Sequence, residues 1–230
     1  MITLASLTQK MGYDASPYYW RMNTPHSPEK AYMFRSAGNL GVDGIYVFRR
    51  APESLESHYI PAPAVYVAAA ENENAARQIH RKLWNLCSAP FLIIILPNQI
   101  RVFTGFNYSE ENEDEGVLDE IKNLEELNRL LKELNATAID TGLVWKSQYA
   151  KKLDLSQRVD SRLLKNIEQL GEALTREGGL KDELANTLIG KYIYLRYLRD
   201  RGILTNEWML QNHIHPEDVF SLNASVKELE

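Results

Sequence analysis

One continuous segment decides the fold, and it reads AVYVAAA (64–70), ENENAARQIHRKLWNLCSA (71–89), PFLIIILP (90–97) and NQIRVFTGF (98–106). It predicts a strand, an amphipathic helix, a second strand and, after a tight turn, a third strand. Two apolar strands joined by a helix should lie parallel with a right-handed crossover. A connection of about three residues should then bring the third strand back antiparallel as a hairpin. Because FLIIIL does not alternate between apolar and polar residues, we expect a central strand that is buried on both faces.

The composition is that of an ordinary soluble globular protein, with 230 residues, 44% hydrophobic and 25% charged. The net charge of −5 gives no overall basic signal for nucleic-acid binding, although it is compatible with a local basic face. The single cysteine, Cys87, excludes an intrachain disulfide and a zinc site built from cysteines. No apolar run approaches the ~18 residues of a membrane span, and the first residues lack an apolar secretion signal. We therefore expect a cytoplasmic protein with no membrane contact.

A helix and a strand precede the central segment. Ser-Pro-Glu at 27–29 has the residue types of a helix start. Residues 42–49 (VDGIYVFR) then predict a strand, with Asp43 close to its beginning. A polar, proline-containing loop over 51–63 leads into the next strand. The predicted order is therefore helix, strand, loop, strand, helix, strand.

Two polar segments follow the hairpin. The first, YSEENEDEG (108–116), is an acidic run whose carboxylates could meet at a metal ion. It lacks the spacing of a calcium loop, and a solvated loop is favoured. The second, VLDEIKNLEELNRLLKELNA (117–136), has leucine and isoleucine near helical spacing and predicts one helix.

Two long helices are predicted after residue 150. They read SQRVDSRLLKNIEQLGEALTRE (156–177) and KDELANTLIGKYIYLRYLRDR (181–201). The second has two apolar stripes, which indicates burial between neighbouring helices. We therefore predict an α/β domain with a mixed sheet over 1–150, followed by an α-helical subdomain over 151–230.

The predicted order of elements up to residue 106 matches the core of a restriction-endonuclease-like nuclease. Such a site needs an acid at the start of one strand, and then an acid, a spacer and a lysine along the next. The two carboxylates hold Mg²⁺, and the lysine positions or activates the attacking water. Asp43 has the position of the first acid, although an Asp-Gly turn residue is the other interpretation. Alanines occupy positions 68–70, where the second acid and the lysine belong.

Residues outside that strand could replace the missing pair: Glu71 and Glu73 lie beyond its end, Lys82 lies on the following helix, and Glu29 could reach the site from the first helix. Glu71 directly follows the strand and is the candidate second acid, so that Asp43 and Glu71 together would hold Mg²⁺. Lys82, on the following helix, is the candidate catalytic cation. If the site is active, Asp43, Glu71 and Lys82 carry Mg²⁺-dependent hydrolysis of a DNA phosphodiester. A degenerate site is favoured, because a carboxylate that arrives after the strand has ended is harder to aim.

A second group of residues could contact the phosphates of double-stranded DNA. His80, Arg81 and Lys82 give three donors or cations on about one helical turn. Arg49 and Arg50 add two cations near the end of the preceding strand. We therefore predict DNA contacts from His80, Arg81, Arg49 and Arg50. The other interpretation is a solvated outer face of the helix, and convergence of these side chains on one surface would favour DNA binding.

Two stretches together suggest a family. IHRKLWNLCSAPFLIIILPNQIRVFTGF (79–106) resembles the N-terminal domain of single-chain, type IIG-like restriction–modification proteins and of N6-adenine DNA methylases. LIGKYIYLRYLRDRGIL (188–204) resembles the helical connector that precedes the methylase domain in those proteins. The resemblance implies a PD-(D/E)xK nuclease-like domain, a connector and then a methylase domain in the same chain, acting on double-stranded DNA with Mg²⁺ if the nuclease is active.

The chain departs from this family in two ways. Its PD-(D/E)xK motif is incomplete, and it has neither an Asn-Pro-Pro-Tyr tetrad for a flipped adenine nor a glycine-rich loop for S-adenosylmethionine. We therefore expect the methylase domain to lie beyond Glu230, and we expect these residues not to be a methyltransferase themselves. The resemblance predicts a nuclease-like or DNA-contacting module with a degenerate site. The alternative is a protein-interaction or architectural module without DNA chemistry.

Overall fold

A six-stranded mixed sheet is formed by the first part of the chain. The computed structural model describes residues 2–25, 30–48, 62–112 and 114–220. The strands lie side by side in chain order: β1 (Tyr19–Arg21), β2 (Gly44–Val47), β3 (Pro63–Ala69), β4 (Phe91–Ile95), β5 (Ile100–Thr104) and β6 (Val117–Ile121). β3 and β4 are parallel, whereas the other neighbouring pairs are antiparallel. The predicted mixed sheet, the parallel pair and the hairpin are therefore confirmed.

β4 is the central strand that the sequence FLIIIL predicts. It pairs with β3 on one side, where Val67 lies opposite Ile93, and with β5 on the other. All five of its residues are buried. Successive side chains of a strand point to opposite faces, so Ile93 enters one apolar cluster and Leu92 enters the other. A strand that contributes to two cores has no polar face, which explains the uninterrupted apolar run.

Helices cover both faces of this sheet. They are α1 (Leu4–Lys10), α2 (Ala31–Leu40), α3 (Glu73–Leu86), α4 (Leu124–Glu133), α5 (Ala136–Asp140) and α6 (Gln148–Lys151). On one face, Val67 of β3 belongs to the same apolar cluster as Leu7 of α1. On the other face, Tyr66 of β3 shares a cluster with Phe34 of α2 and Leu83 of α3. The layers are therefore helix, sheet and helix.

The prediction of one helix over 117–136 is wrong in its first part. Residues 117–121 form β6, which pairs with β5 so that Ile121 lies opposite Ile100. The helix begins only after Asn123, whose side chain accepts the backbone N–H of Glu126 at 2.9 Å. Pairing with the free edge of β5 satisfies the backbone of β6, and this interaction outweighs the helical spacing of its apolar residues.

A side-chain network fastens β6 to the helices packed against it. Oδ2 of Asp119 accepts hydrogen bonds from the Arg129 guanidinium at 2.6 Å and from the Tyr149 hydroxyl at 2.8 Å. The hydrogen bond to Asp119 raises the pKa of Arg129 above its usual value. Burial and the same carboxylate raise the pKa of Tyr149, so the phenol keeps its proton and donates it. β6 is thus tied to α4 and α6 as well as to β5.

The contacts within the chain divide it into two units, Met1–Arg162 and Leu163–Glu230. The remaining helices are α7 (Val159–Arg176), α8 (Asp182–Asp200), α9 (Asn206–Gln211) and α10 (Pro216–Phe220). α7 and α8 are the two long helices that the sequence predicts. The domain bounds of 1–150 and 151–230 stay a prediction.

The two apolar stripes of α8 predict burial on two faces of the helix, but the structure does not show this. Ala185 and Ile189 are buried, but Leu184, Leu188 and Tyr192 are exposed. Apolar periodicity shows which side chains share a face of a helix, but it does not show whether a neighbour covers that face. None of the helices in the described ranges is long and apolar enough to cross a membrane.

Replacing Tyr149 by phenylalanine tests the network around Asp119. The variant keeps the buried ring and loses the hydroxyl that donates to the carboxylate. Because a hydrogen bond to a charged acceptor is lost, we expect the free energy of unfolding to fall by about 1.5–3 kcal/mol. Urea unfolding followed by circular dichroism measures this change. Tyr32→Phe, at an exposed ring, is the matched control, and an equal effect of the two variants would contradict the network.

Candidate functional site

The carboxyl ends of the parallel strands β3 and β4 define one edge of the sheet. β2 and β5 begin at this edge, because each is antiparallel to its neighbour, and β6 ends there. The edge therefore collects polar side chains from five segments: Asp43, Glu71, Glu73, Arg101 and Glu120. Ligands of α/β sheets commonly bind beyond the carboxyl ends of the parallel strands. This edge is the candidate functional site.

Asp43 lies at the start of β2 and bridges two strands. Its backbone N–H donates to the carbonyl of Val67 at 2.9 Å, and its carbonyl accepts from the N–H of Met22 at 3.0 Å. Its carboxylate Oδ2 accepts the backbone N–H of Ala69 at 2.8 Å. The side chain is therefore bound to the last residue of β3. This hydrogen bond gives Asp43 a structural role at the position where the sequence predicts the first metal ligand.

An alanine faces Asp43 across the antiparallel pair. Gly44 pairs with Val67, so the next position of the same register places Asp43 opposite Ala68. Ala68 is fully buried, and its methyl group occupies the position from which a second acid would face Asp43. A methyl group offers no oxygen to a divalent cation, which Mg²⁺ requires.

Glu71 does not replace that second acid on the strand. It is exposed and lies beyond Ala69, where β3 ends. The next residue, Asn72, caps α3 by accepting the N–H of Ala75 at 2.9 Å. In the parts of the chain that the structure describes, no three His, Cys, Asp or Glu side chains are arranged to hold a metal ion. Asp43 is therefore faced by a methyl group on β3, and Glu71 lies past the end of that strand.

Lys82 lies on the outer side of α3. Ala76 and Leu83 form the buried face of this helix, whereas Lys82 is exposed. Lys82 follows Glu73, the first residue of α3, by nine positions, which corresponds to about 13 Å along the helix axis. The structure therefore does not bring Lys82 to the edge that carries Asp43.

An ion-pair chain occupies the other half of the edge. Arg101, at the start of β5, contacts Glu73 of α3 at 2.9 Å and Glu120 of β6 at 2.5 Å. Gln99 donates a further hydrogen bond to Glu73 at 2.7 Å. The hydrogen bond from Lys122, assisted by Arg101, lowers the pKa of Glu120. Both carboxylates of these ion pairs, those of Glu73 and Glu120, therefore already face a cation.

Arg101 is one of the residues of this edge that the sequence interpretation missed. It is largely buried between Glu73 and Glu120, and its guanidinium joins α3 to two strands. The sequence IRVFT (100–104) does contain an indication of this role, because an arginine interrupts an otherwise apolar strand. A charge inside such a strand indicates a buried partner, since an unpaired buried charge is costly.

A cleft of about 390 Å³ lies beside Asp43. Tyr19 crosses it so closely that a Cβ atom at Gly44 would overlap the Tyr19 hydroxyl. Burial, followed by the nearby Asp14 carboxylate, raises the pKa of Tyr19 to about 12, so the phenol stays protonated. Arg21, which also lines the cleft, is paired with Asp14 at 2.8 Å. These groups can hydrogen-bond a small polar molecule, but the cleft lining does not pair a nucleophile with a general base.

The prediction that His80 contacts DNA is wrong, because its ring is buried. Only 2% of the residue is exposed. Nε2 lies 2.8 Å from the carbonyl oxygen of Thr104, and the ring lies 4.6 Å from that of Phe103. The spacing along the sequence is consistent with this burial. Ala76, His80 and Leu83 follow one another at intervals of four and three, which places them on one face of α3, and this face is the buried one.

The cations on the outer side of α3 are engaged by the acidic loop. Arg81 pairs with Glu110 at 2.9 Å, and both side chains are exposed. Arg77 donates to the carbonyl oxygens of Ser109 and Glu110 at 3.4 and 3.3 Å. The acidic run thus lies against the helix on which the sequence predicts a DNA-binding face. Glu29, Arg49 and Arg50 lie outside the described residues.

His80 predicts a loss of stability in acid. Burial lowers the pKa of this side chain from 6.5 to about 4. The unfolded chain takes up the proton first as the pH falls, so the stabilisation is complete above pH ~6.5 and disappears by pH ~4. The shift corresponds to about 3 kcal/mol in the free energy of unfolding.

Urea unfolding at pH 7 and pH 4 measures this contribution. We expect the pH dependence of the wild-type protein to exceed that of His80→Gln, which removes the titrating ring while it keeps a donor for Thr104. His213→Gln, at an exposed histidine, serves as the control and should retain the wild-type dependence. An unchanged pH dependence in His80→Gln would contradict the assignment.

The structure brings Asp43 to the carboxyl edge of β3, leaves Glu71 exposed beyond that strand, and separates Lys82 from both along α3. Arg81 is paired with an acidic side chain and His80 is buried. The sequence therefore placed Asp43 at the start of a strand, but it did not predict the hydrogen bonds and ion pairs that the side chains of this edge make. In comparisons with known proteins, no family model, no curated protein and no solved structure matches this chain.

Proposed function

We propose that this chain is a protein-docking, architectural module of a DNA restriction–modification protein. In this proposal its sheet is a restriction-endonuclease-like core without nuclease chemistry, and its C-terminal helices bind another protein domain. The observation that carries the proposal is an exposed apolar stripe on α8, which consists of Leu184, Leu188, Tyr192 and Leu195.

The apolar stripe is continuous. Its members follow one another at intervals of four, four and three residues, so they share one face of the helix. Each is between 37% and 57% exposed. Single exposed apolar residues are ordinary, but a contiguous row of large ones marks an interaction surface. The apolar stripe therefore supports the proposal that a partner covers these side chains and removes them from water.

The resemblance of residues 188–204 to a helical connector suggests which partner this is. In the proteins that this stretch resembles, the connector leads into an N6-adenine methylase domain of the same polypeptide. Three of the four residues of the apolar stripe lie within the stretch. We therefore assign the stripe to a methylase domain, and double-stranded DNA would be bound by the assembled protein.

The geometry at the sheet edge supports a core without nuclease activity. The Asp43 carboxylate is bound to the N–H of Ala69, and the buried methyl group of Ala68 lies opposite. Glu73 and Glu120 are engaged by Arg101. A metal-dependent nuclease needs at least two convergent carboxylates that can turn towards the ion. The carboxylates of this edge serve the scaffold in place of that role.

Incubation with supercoiled plasmid tests the loss of nuclease activity. We expect the plasmid to stay intact with Mg²⁺ or Mn²⁺, because Asp43 lacks an opposed acid. Should nicking occur, Asp43→Asn distinguishes its source, since the amide oxygen can still accept the N–H of Ala69 while the charge is removed. Nicking by the wild-type protein that Asp43→Asn abolishes would overturn the proposal.

Binding to a separately produced N6-adenine DNA methylase domain, of the kind that follows the connector in the proteins that residues 188–204 resemble, tests the docking proposal. We expect a complex with this chain in isothermal titration calorimetry, and Leu188→Glu should weaken it at least about tenfold, because a charge in the buried centre of an interface loses its hydration. Asn186→Glu introduces the same charge at an exposed position outside the apolar stripe and should bind like the wild type. Equal affinities of the two variants, or no binding by the wild-type chain, would reject the docking surface.

A further inference from the structure

A second surface of α8 combines exposed tyrosines with cations. Lys191, Tyr194, Tyr197 and Arg201 follow one another at intervals of three, three and four residues, at the C-terminal end of the helix and its cap. This spacing places them on one side of the helix. We call this group the basic–aromatic stripe.

The basic–aromatic stripe faces away from the packed side of α8. Ala185 and Ile189 are the buried residues of the helix. At about 100° per residue, the stripe is centred roughly opposite them. The apolar stripe lies between these two sides and is bordered by Lys191. Tyr194, Tyr197 and Arg201 lie about 80° or more from it around the helix, so the docking of a protein partner on the apolar stripe leaves both rings accessible.

The two tyrosine rings are available for contact. Tyr194 is 61% exposed and Tyr197 is 52% exposed. The Arg201 guanidinium lies 5.3 Å from the centre of the Tyr197 ring. Large aromatic faces in water at two successive turns are unusual for a helix that needs no partner on that side.

The stripe also carries charge without opposing carboxylates. Within the described part of the chain, no carboxylate lies within salt-bridge distance of Lys191 or Arg201. The nearby Asp200 lies on another side of the helix, 3.8 Å from Arg196. A cation at a helix C-terminus complements the helix dipole, which accounts for Arg201. It accounts neither for Lys191, ten residues earlier, nor for the exposed rings.

We propose that the basic–aromatic stripe binds single-stranded nucleic acid. Bases stack on Tyr194 and Tyr197, while Lys191 and Arg201 pair with phosphates. Ring stacking of this kind needs an unpaired base, because the faces of paired bases are covered by their neighbours in a duplex. Aromatic platforms combined with cations are the recurring means of binding single strands without sequence preference.

The dimensions of the stripe suit a short oligonucleotide. Tyr194 and Tyr197 are separated by about 4.5 Å along the helix axis, close to one base step of about 3.4 Å. Lys191 and Arg201 are separated by about 15 Å, which spans roughly four such steps. The stripe can therefore reach phosphates on both sides of two stacked bases.

This inference goes beyond protein docking and does not rest on it. It also places nucleic-acid contact on a different element from the sequence prediction. On α3, His80 is buried and Arg81 is paired with Glu110. On α8, the cations of the stripe face solvent without a carboxylate partner among the described residues. The net charge of −5 makes this local basic surface stand out on an acidic chain.

Fluorescence anisotropy with labelled oligothymidylate of twelve nucleotides tests the proposal on the whole chain. We expect Tyr194→Ala combined with Tyr197→Ala to weaken binding by about 30-fold or more, since each stacked base contributes measurably to affinity. The double Tyr→Phe variant keeps both rings and should bind like the wild type. Lys191→Gln combined with Arg201→Gln should reduce the slope of log affinity against log salt by about 1.4.

Two further measurements distinguish this site from the apolar stripe and from a duplex-binding surface. Leu188→Ala removes part of the apolar stripe and should leave oligonucleotide binding unchanged, so a failure of protein docking does not affect the result. A duplex of the same length should bind more weakly than the single strand. Absence of binding by the wild-type chain, equal affinity for the duplex, or unchanged affinity in the tyrosine-to-alanine variant would each overturn the proposal. A salt slope that the Lys191 and Arg201 substitutions leave unchanged would do so as well.

Discussion

The parallel pairing of β3 with β4 is the constraint on which the first unit depends. Five register pairs join the two strands, from Val65 with Phe91 to Ala69 with Ile95. Parallel strands cannot be joined by a tight turn, so α3 must cross over one face of the sheet and return the chain to the opposite end. That crossover brings the start of α3, the start of β2 and the start of β5 to the same edge, where polar side chains from distant segments meet.

The side chains at that edge stabilise the scaffold. Asp43 accepts the N–H at the end of β3, and Arg101 joins Glu73 to Glu120. Each of these contacts fixes the orientation of its carboxylate and joins two segments of the edge. A mixed sheet does not by itself supply a metal site, because the sheet needs strand pairing whereas the site needs carboxylates that converge on the ion.

The helices of the second unit show a different balance. α8 buries Ala185 and Ile189, and it presents the apolar stripe and the basic–aromatic stripe to solvent. Burial of an apolar side chain contributes about 1.5–3 kcal/mol, so a helix that leaves so many exposed forgoes much of its possible stabilisation. Such a surface is understandable in a module whose partners supply the missing contacts. A helix with distinct sides can meet two kinds of partner at once, one through apolar contact and one through charge and ring stacking.

The sequence by itself determined the elements whose signal is local. The apolar runs, the three-residue turn and the helical spacings predict β3, α3, β4, β5, α7 and α8, and they place Asp43 at the start of a strand, because these features depend on neighbours along the chain. Tertiary structure alone decided that residues 117–121 form β6, which pairs with the edge of β5 in spite of their helical spacing. It also decided the burial of His80, a residue that the sequence places on the outer face of α3. It also decided that Ala68 faces Asp43 and that the stripes of α8 stay exposed, since register and coverage depend on which segments meet in space.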